Sequence, residues 1–286
     1  MVRALAEFIM RGRAQAAAFA GLCFFVPFLG SAAIALVTLR RGGLNGFYIL
    51  VWALLPYIVF TAVDVSLLPF TFLVLTIMAA TIGGALVLRS GSTWPVSVLG
   101  LLAICATGGF VFGSTFPEHI NAFVDQWNSV QAQAVQQLKQ QGYEVSEVTE
   151  LSAPKVTGIV AYVATTSAFL ALLVGRWWQA MLYNPGGFQL EFHQFRLNLS
   201  QALFCFGLAV LGLSRREYDY WGLVAALPLF LVSVTIVHNI VAEKKLGKQW
   251  LIAFYILTML PAIYLVAVVI GLMDSWVDFR KKILSR

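Results

Sequence analysis

The sequence is short of charge. Only 11% of its 286 residues are Asp, Glu, Lys or Arg, whereas an ordinary soluble domain carries about 25%. With 60% hydrophobic residues, a soluble fold would have more apolar surface than its cores could bury. The charges lie in short clusters between long apolar runs, and about 20 apolar residues in a helix span a 30 Å hydrocarbon core. The composition therefore predicts an all-α fold, a polytopic integral membrane helical bundle.

Several chemical signatures are missing as well. The three cysteines, Cys23, Cys105 and Cys205, all lie in apolar runs, which is typical of small buried side chains and not of disulfides or metal ligands. The sequence has no Gly-x-x-x-x-Gly-Lys phosphate loop, no His-Glu-x-x-His helix and no Gly-x-Ser-x-Gly elbow. Its net charge of +6 is accounted for by membrane flanks, without a basic stripe for nucleic acid. We expect a chain that is not an enzyme and has no metal, no cofactor and no nucleic-acid partner.

The apolar runs predict eight or nine transmembrane segments. The count depends on the first run, where Pro27 and Gly30 interrupt the helical pattern. This run is either one kinked span, or a hairpin of a first helix that begins within residues 3–13 and a short second helix over about 28–39. Apolar segments cover residues 14–39, 44–62, 66–88, 94–114, 155–182, 198–213, 218–242 and 249–273.

Charge counting leaves the orientation undecided. Eight and nine segments each place eleven of the nineteen lysines and arginines on the cytoplasmic side, so the positive-inside rule does not separate them. The polar insert at 117–154 is net acidic and favours an outside position, which corresponds to nine segments. That arrangement places the basic C-terminus, 280–286, outside as well, unless the last segment is re-entrant or lies in the interface.

The insert itself predicts an amphipathic extramembrane helix of about six turns. Its apolar residues recur at steps of three and four, and Phe123 and Trp127 are typical interfacial anchors. Such a helix is either a lid or partner-binding element over an outer cavity, or a helix lying on the membrane surface. The apolar positions are Ile120, Phe123, Trp127, Val130, Ala134 and Leu138.

A second group of interfacial residues follows position 175. Arg176, Trp177 and Trp178 combine a cation with aromatic rings at a helix end, as expected where a span meets lipid head groups. Helical spacing then puts Phe188, Phe192, Phe195 and Leu199 on one face and Gln189, His193 and Arg196 on the other. The segment is either an interfacial helix in the cytoplasmic leaflet, or a place where Arg176, His193 and Arg196 meet an anionic lipid head group or a partner protein.

Ionisable residues inside apolar spans are default functional candidates. Asp64 lies between two apolar runs, and His238 with Asn239 occupies the last turns of another. These three residues are our candidates for binding a substrate along a solute or proton path. The alternatives are that Asp64 ends a helix and that His238 hydrogen-bonds a neighbouring helix.

Two groups of motifs resemble a known family. The segment Ala4-Leu5-Ala6-Glu7, the break at Pro27 and a short helix ending in Arg40-Arg41-Gly42 are similar to the YybS-like family of uncharacterised bacterial membrane proteins. So is Gly175-Arg176-Trp177-Trp178-Gln179 with the following Tyr183-Asn184-Pro185-Gly186-Gly187-Phe188. That family is distantly similar to the substrate-binding S components of energy-coupling-factor transporters.

The resemblance implies a non-enzymatic membrane module in the bacterial inner membrane. It would bind a small solute or lipid in an N-terminal bundle, residues 1–197, with further transmembrane helices at 198–286 that the S components lack. Its partners would be membrane lipids and other integral membrane subunits. S components dock through small residues of the first helix, here Ala14, Ala18 and Gly21, although such residues also pack helices internally.

Two other functions fit the same sequence. One is an integral membrane scaffold or regulatory subunit of another membrane complex. The other is a lipid-modifying enzyme that uses Asp64, His193 or His238.

Overall fold

The computed structural model describes residues 2–145 and 149–280, and every regular element in those residues is helical. The all-α prediction is therefore confirmed. Glu147 of the insert and residues 281–286 of the basic C-terminus lie outside the described residues. The α-helices are α1 Val2–Arg11, α2 Arg13–Leu22, α3 Pro27–Arg41, α4 Gly43–Val63, α5 Leu68–Arg89, α6 Trp94–Thr115, α7 Pro117–Gln140, α8 Ala153–Tyr183, α9 Gly187–His193, α10 Leu199–Leu213, α11 Asp219–Glu243, α12 Gln249–Leu257 and α13 Pro261–Val277, with 3₁₀-helices at Cys23–Phe25 and Val65–Leu67.

Prolines mark where many of these helices begin. At the first or second helical position, the missing N–H of proline costs nothing and its fixed φ suits the helix. Prolines occupy such positions in α3, α5, α6, α7, α8 and α13. The residues are Pro27, Pro69, Pro95, Pro117, Pro154 and Pro261.

Within the described residues, five helices are long and apolar enough to cross a membrane. They are α4, α5 with the 3₁₀ turn before it, α6, α8 and α11, and the bent pair α12 and α13 makes a sixth if it counts as one span. The sequence predicts eight or nine. The structure has fewer candidate spans than predicted because three of the apolar runs fold into shorter helices.

The first apolar run turns back on itself. Arg41, at the end of α3, donates a hydrogen bond to the carbonyl of Met10, at the end of α1, so the start of α2 and the end of α3 lie together. At Gly30, an added β-carbon would lie only 2.9 Å from the carbonyl oxygen of Ala20, which shows how closely the two helices pack. The run is thus the hairpin, and not the kinked span. Ten residues of α2 rise about 15 Å, which is half of a 30 Å hydrocarbon core.

The C-terminal apolar run is also broken. The axes of α12 and α13 differ by 109°. The far end of α13 lies against the loop between α9 and α10, where Arg196 donates to the carbonyl of Asp274 at 3.0 Å. Along its length α13 packs on α11 through Gly271, whose missing side chain admits the carbonyl of Leu229. The 15 residues of α10 form the third short apolar helix.

The polar loops gather at two ends of the bundle. At the first, which we call the basic end, Arg89 donates to the carbonyl of Leu39 at 2.7 Å, and the Arg40 guanidinium lies 4.3 Å from the ring centre of Tyr183. At the second, the insert end, Lys155 forms an ion pair with Asp219 at 2.9 Å. Helix α7 follows α6 at the insert end.

Helices α3 and α11 form the interior. Every residue from 30 to 39 of α3 is buried, and 78% of the residues in the apolar stretch of α11 are buried. In the long helices α4, α5, α6 and α8, half or fewer of the residues in the apolar stretch are buried, which suits contact with lipid. The interior helices therefore position whatever lies between α8 and α11.

Candidate functional site

A large apolar cavity opens between α8, α9, α11 and α12. Its volume is about 670 Å³, within the range of ligand-binding pockets in proteins. Buried Phe169, Leu227 and Leu231 line it, together with the more exposed Leu170 and Tyr255. The lining residues of α11 run from Leu227 to Ala242, about 22 Å along the helix axis. One leaflet of the hydrocarbon core is about 15 Å deep, so the cavity is as long as a lipid tail region.

The short helix α9 forms one wall of this cavity. Gly186, with φ of 86°, makes the turn that starts it, a conformation that glycine adopts without strain. Phe188, Gln189, Phe192 and His193 all line the cavity. The sequence places the two phenylalanines and the two polar residues on opposite faces, but at 100° per residue the four positions fall within an arc of about 140°. One broad face of α9 therefore carries both rings and polar groups into the cavity.

Polar groups collect at the basic end of the cavity. His238 Nε2 and the Tyr255 hydroxyl lie 2.8 Å apart and share a hydrogen bond, which ties α12 to α11. The His238 ring also meets the Phe192 ring edge to face at 5.5 Å. His193 and Lys245 complete this polar end. The cavity is thus mainly apolar, with Tyr162 and Thr166 of α8 as further polar residues in its lining, and its basic groups lie at one end.

The polar end of the cavity is basic. Lys245 is the second residue after α11, and its φ of 51° is unusual for a residue with a side chain. Burial lowers the pKa of His193, while Glu243 acts to raise it and Arg280 acts to lower it. Among the described lining residues there is no aspartate or glutamate. Lys245 therefore lies in the lining of the cavity without an aspartate or glutamate among the other described lining residues.

A second, polar cavity lies on the other side of α9. Its volume is about 610 Å³, and it is lined by Arg89, Trp94, Arg176 and Glu191 among others. Arg176 donates to both carboxylate oxygens of Glu191, and the Trp94 indole N–H donates to the same carboxylate at 3.3 Å. Glu191 thus fixes α9 to α6 and α8. The sequence predicts Arg176 as an interface anchor, but in the structure its guanidinium forms an ion pair with Glu191 inside the protein.

The C-terminal end of α13 holds a buried charge cluster that the sequence reasoning missed. Asp274 is fully buried and forms an ion pair with Arg280 at 2.9 Å, while Arg196 forms one with Asp278 at 3.0 Å. Arg280 also donates to the carbonyl of Phe195 at 2.7 Å. An acidic residue at the end of an apolar run is the sequence signal that could have indicated this cluster, and Asp274 is such a residue. Arg196 therefore binds acidic residues of its own chain.

The predicted substrate-binding residues do not come together. His238 lines the apolar cavity, whereas Asn239 is buried and does not line it. Asp64 lies at the insert end between α4 and α5, where its carboxylate accepts a hydrogen bond from the backbone N–H of Ser66 at 3.0 Å. This bonding lowers the pKa of Asp64. Asp64 thus ends one helix and caps the next turn, at the opposite end of the bundle from His238.

The small residues of α2 divide between the inside and the outside. Ala16 and Ala20 are buried in the hairpin, while Ala14 and Ala18 are exposed. Gly21 is half-buried, with Pro56 of α4 as a neighbour. The exposed pair is free to meet another helix, and the buried pair packs internally.

The aromatic anchors also differ from one another. Phe123 and Trp127 of α7 are about half exposed, with ring centres 6.2 Å apart. Trp177 is exposed, but Trp178 is buried and meets Phe19 edge to face. Trp178 therefore packs inside the bundle instead of facing lipid, because it lies on the face of α8 that meets α2.

Metal ligands are not clustered in the described parts of the chain. Within residues 2–145 and 149–280, no group of three or more His, Cys, Asp or Glu side chains is placed to hold an ion. His193 and His238 lie at the same cavity without a third such ligand there.

Comparison with known proteins finds no match. Neither a protein-family model, nor a curated protein, nor a solved structure matches the chain. The YybS-like resemblance therefore stays a prediction from the short motifs quoted above.

Proposed function

We propose that this chain is a non-enzymatic, multi-pass protein of the bacterial inner membrane that binds one membrane amphiphile in the cavity between α8, α9, α11 and α12. The observation that supports this most is the lining of that cavity, which is apolar along α11 between Leu227 and His238, about 16 Å, and carries its basic groups at one end. An amphiphile has the same division between tail and head group. The binding partner is therefore a lipid, and not a water-soluble solute.

The position of the cavity supports lateral access from the bilayer. Its exposed rim residues, Leu170, Leu246 and Tyr255, are apolar or amphipathic, as on a lipid-facing surface. Helix α12, which forms this side, has no buried residue and is held to α11 by the hydrogen bond between His238 and Tyr255. A lipid tail can enter from the side without crossing a polar barrier.

The distribution of cations supports a cytoplasmic basic end. Positive residues concentrate on the cytoplasmic side of membrane proteins, and the described residues place most of them at one end. Because the first and last apolar runs both turn back, the described part of the C-terminus joins this end also. The basic end carries Arg3, Arg11, Arg13, Arg40, Arg41, Arg89, Arg176, Arg196, Lys244, Lys245, Lys248 and Arg280, and the insert end carries Lys139, Lys155, Arg215 and Arg216.

With this orientation, α7 is an extramembrane helix on the outer side. The mainly polar sequence of α7 and its exposed Phe123 and Trp127 suit a helix at the outer membrane surface. The insert is then a cap of the outer side, far from the lipid cavity.

A role in transport follows from the resemblance. The S components bind their substrate and depend on partner subunits for energy, and this chain would do the same with an amphiphile. The resemblance implies a site in the N-terminal bundle, whereas the cavity lies between α8 and α9 of that region and α11 and α12 of the C-terminal region.

A second candidate function is assembly with another integral membrane subunit. The observation that favours it is the exposure of Ala14 and Ala18 on α2, since small residues four apart allow close helix contact. Stoichiometric co-purification of a partner, lost when Ala14 and Ala18 are both replaced by leucine, would support assembly through this face.

Native mass spectrometry of the full chain in mild detergent tests the proposed lipid binding. We expect wild-type protein to retain one lipid per chain. Leu173→Trp, which fills the half-buried middle of the cavity, and Leu170→Trp, at its exposed rim, should both release that lipid. Leu211→Trp is the matched control, because Leu211 is 67% exposed on α10, away from the cavity. Wild-type protein without bound lipid, or equal lipid loss in the control, would contradict the proposal.

A further inference from the structure

We infer that the polar end of the apolar cavity selects an amphiphile with an anionic head group, and that the ligand is an anionic phospholipid with one acyl chain in the cavity. This inference rests on the proposed lipid binding and adds the class of the head group. The residues that carry it are Lys245, His193 and His238, the basic side chains that line this end.

The first step is the charge balance at the head-group position. Lys245 lines the cavity, and in the described residues it makes no ion pair and no hydrogen bond through its ammonium group. The described acid closest in sequence, Glu243, is exposed and does not line the cavity, although it acts to raise the pKa of His193. A phosphate at the cavity mouth therefore meets a cation that has no competing carboxylate in the lining.

The second step is hydrogen bonding. Within the described residues, His193 has no hydrogen-bond partner, and burial lowers its pKa, so its neutral ring offers one N–H donor. His238 is already joined to Tyr255 at 2.8 Å, which fixes the ring at the wall. A phosphate oxygen can accept from the His193 N–H and from the Lys245 ammonium together. A zwitterionic head group would add an ammonium group, quaternary in phosphatidylcholine, beside these same groups, without an acid in the lining to receive it.

The third step is the depth of the basic residues along α11, measured from the membrane interface. Lys245 follows the last turn of α11 at the basic end, and His238 lies seven residues earlier, about 10 Å deeper. Below His238 the α11 lining is apolar as far as Leu227. A head group at Lys245 thus lies at the membrane interface while its tail extends into the hydrocarbon region. The surface of a cytoplasmic leaflet is also where basic residues attract anionic lipids.

The test measures lipid preference in the full chain by native mass spectrometry. Purified, delipidated protein is titrated with dioleoyl-phosphatidylglycerol or dioleoyl-phosphatidylcholine, which share the same acyl chains. Wild-type protein should bind the anionic lipid more tightly. Lys245→Gln should reduce this preference about fivefold, from the roughly 1 kcal/mol that one lysine contributes at a charged membrane surface. His193→Leu, which removes the N–H donor, should also reduce the preference, and Lys245→Arg should retain it.

Lys248→Gln is the matched control, because Lys248 lies three residues away and does not line the cavity. Preservation of the preference in this variant would support a specific site, and an equal loss in both variants would overturn it in favour of general surface attraction. Thermal unfolding of each variant separates a loss of binding from a loss of fold. If Lys245→Gln fails to fold, His193→Leu is compared with wild-type protein and with Lys248→Gln, and an unchanged preference in His193→Leu would overturn the site.

Three further outcomes are decisive. Equal binding of both lipids by wild-type protein, blocked by Leu173→Trp, would overturn the anionic selection and leave the lipid cavity standing. Binding of neither lipid would overturn the lipid cavity itself. Inorganic phosphate at matched ionic strength should not displace the anionic lipid, because the acyl chain supplies most of the contact, and displacement would overturn the assignment to a lipid.

Discussion

At the scale of single residues, the buried charges at the end of α13 are paired with opposite charges. Asp274 is fully buried and faces two guanidinium groups, with Arg280 at 2.9 Å and Arg196 at 3.5 Å. A buried ion has lost its hydration, so its stability depends on such partners. These contacts tie the end of α13 to the loop between α9 and α10. The wall of the lipid cavity formed by α9 is therefore held partly from the C-terminal end of the chain.

Replacing Asp274 should expose this dependence. In Asp274→Asn, Arg280 would stay buried without its anionic partner, and we expect the free energy of unfolding to fall by about 3–5 kcal/mol. Reversible unfolding in mixed micelles, followed by circular dichroism, measures this change. Asp125→Asn on exposed α7 is the control, with a change of about 0.5 kcal/mol or less. Equal stability of the two variants would show that the Asp274 cluster is not a structural tie.

Residue identity alone predicts part of this site. An ionisable group in an apolar span is a default functional candidate, and the structure places His238 in the lining of the apolar cavity. His193 and Arg196 are also singled out, but the acids that act on them, Glu243 and Asp274, lie 50 and 78 residues further along the chain. Asp274 and Tyr255 gain their roles only when α12 and α13 fold back, and no local pattern indicates that return.

At the scale of helices, the uninterrupted long spans are read well from the sequence. The predicted segments 44–62, 66–88 and 94–114 correspond closely to α4, α5 and α6, since each is bounded by polar or glycine-rich turns. Hydropathy does not divide the first and last apolar runs into their separate helices, because the turns inside these runs are apolar. Cys23–Phe25 and Thr258–Leu260 break the helices without any polar residue apart from a threonine, so hydropathy shows no boundary.

The return of α13 onto α11 depends on one small residue. A methyl group at Gly271 would overlap the carbonyl oxygen of Leu229, so Gly271→Ala should push the two helices apart. We expect a loss of about 1–3 kcal/mol in unfolding free energy. Gly207→Ala in α10 is the matched control, because an added β-carbon there meets no atom within 4 Å, and its helix propensity should improve by up to about 1 kcal/mol. The same micelle unfolding assay compares both variants, and a stabilised Gly271→Ala would rule out this close contact.

At the scale of the whole molecule, the two turned-back runs explain why charge counting is level. With the first run as one crossing, the basic-end clusters between Arg40 and Lys248 fall outside; with that run as a hairpin they fall inside, but a full last crossing then moves the C-terminal cluster outside. With both runs folded back, most basic residues of the described chain collect at one end. The sequence contains this arrangement only as alternatives, a hairpin at Pro27 and a re-entrant last segment.

The orientation can be measured by cysteine accessibility. In a background without native cysteines, Ser129→Cys in α7 should react with a membrane-impermeant maleimide in intact spheroplasts. Ser90→Cys, exposed at the basic end, should react only after lysis. Labelling in the reverse order would place the basic end outside and would remove the argument for a cytoplasmic-leaflet lipid.

The most direct test of lipid binding is photo-crosslinking in the native membrane. A phospholipid with a photoactivatable acyl chain is incorporated into the bilayer, irradiated, and its attachment sites are mapped by peptide mass spectrometry. Binding in the cavity predicts crosslinks concentrated at 162–173, 188–193 and 227–242, and their loss in Leu173→Trp but not in Leu211→Trp. Crosslinks spread evenly over the exposed faces of α4, α6 and α10, and unchanged in Leu173→Trp, would contradict it.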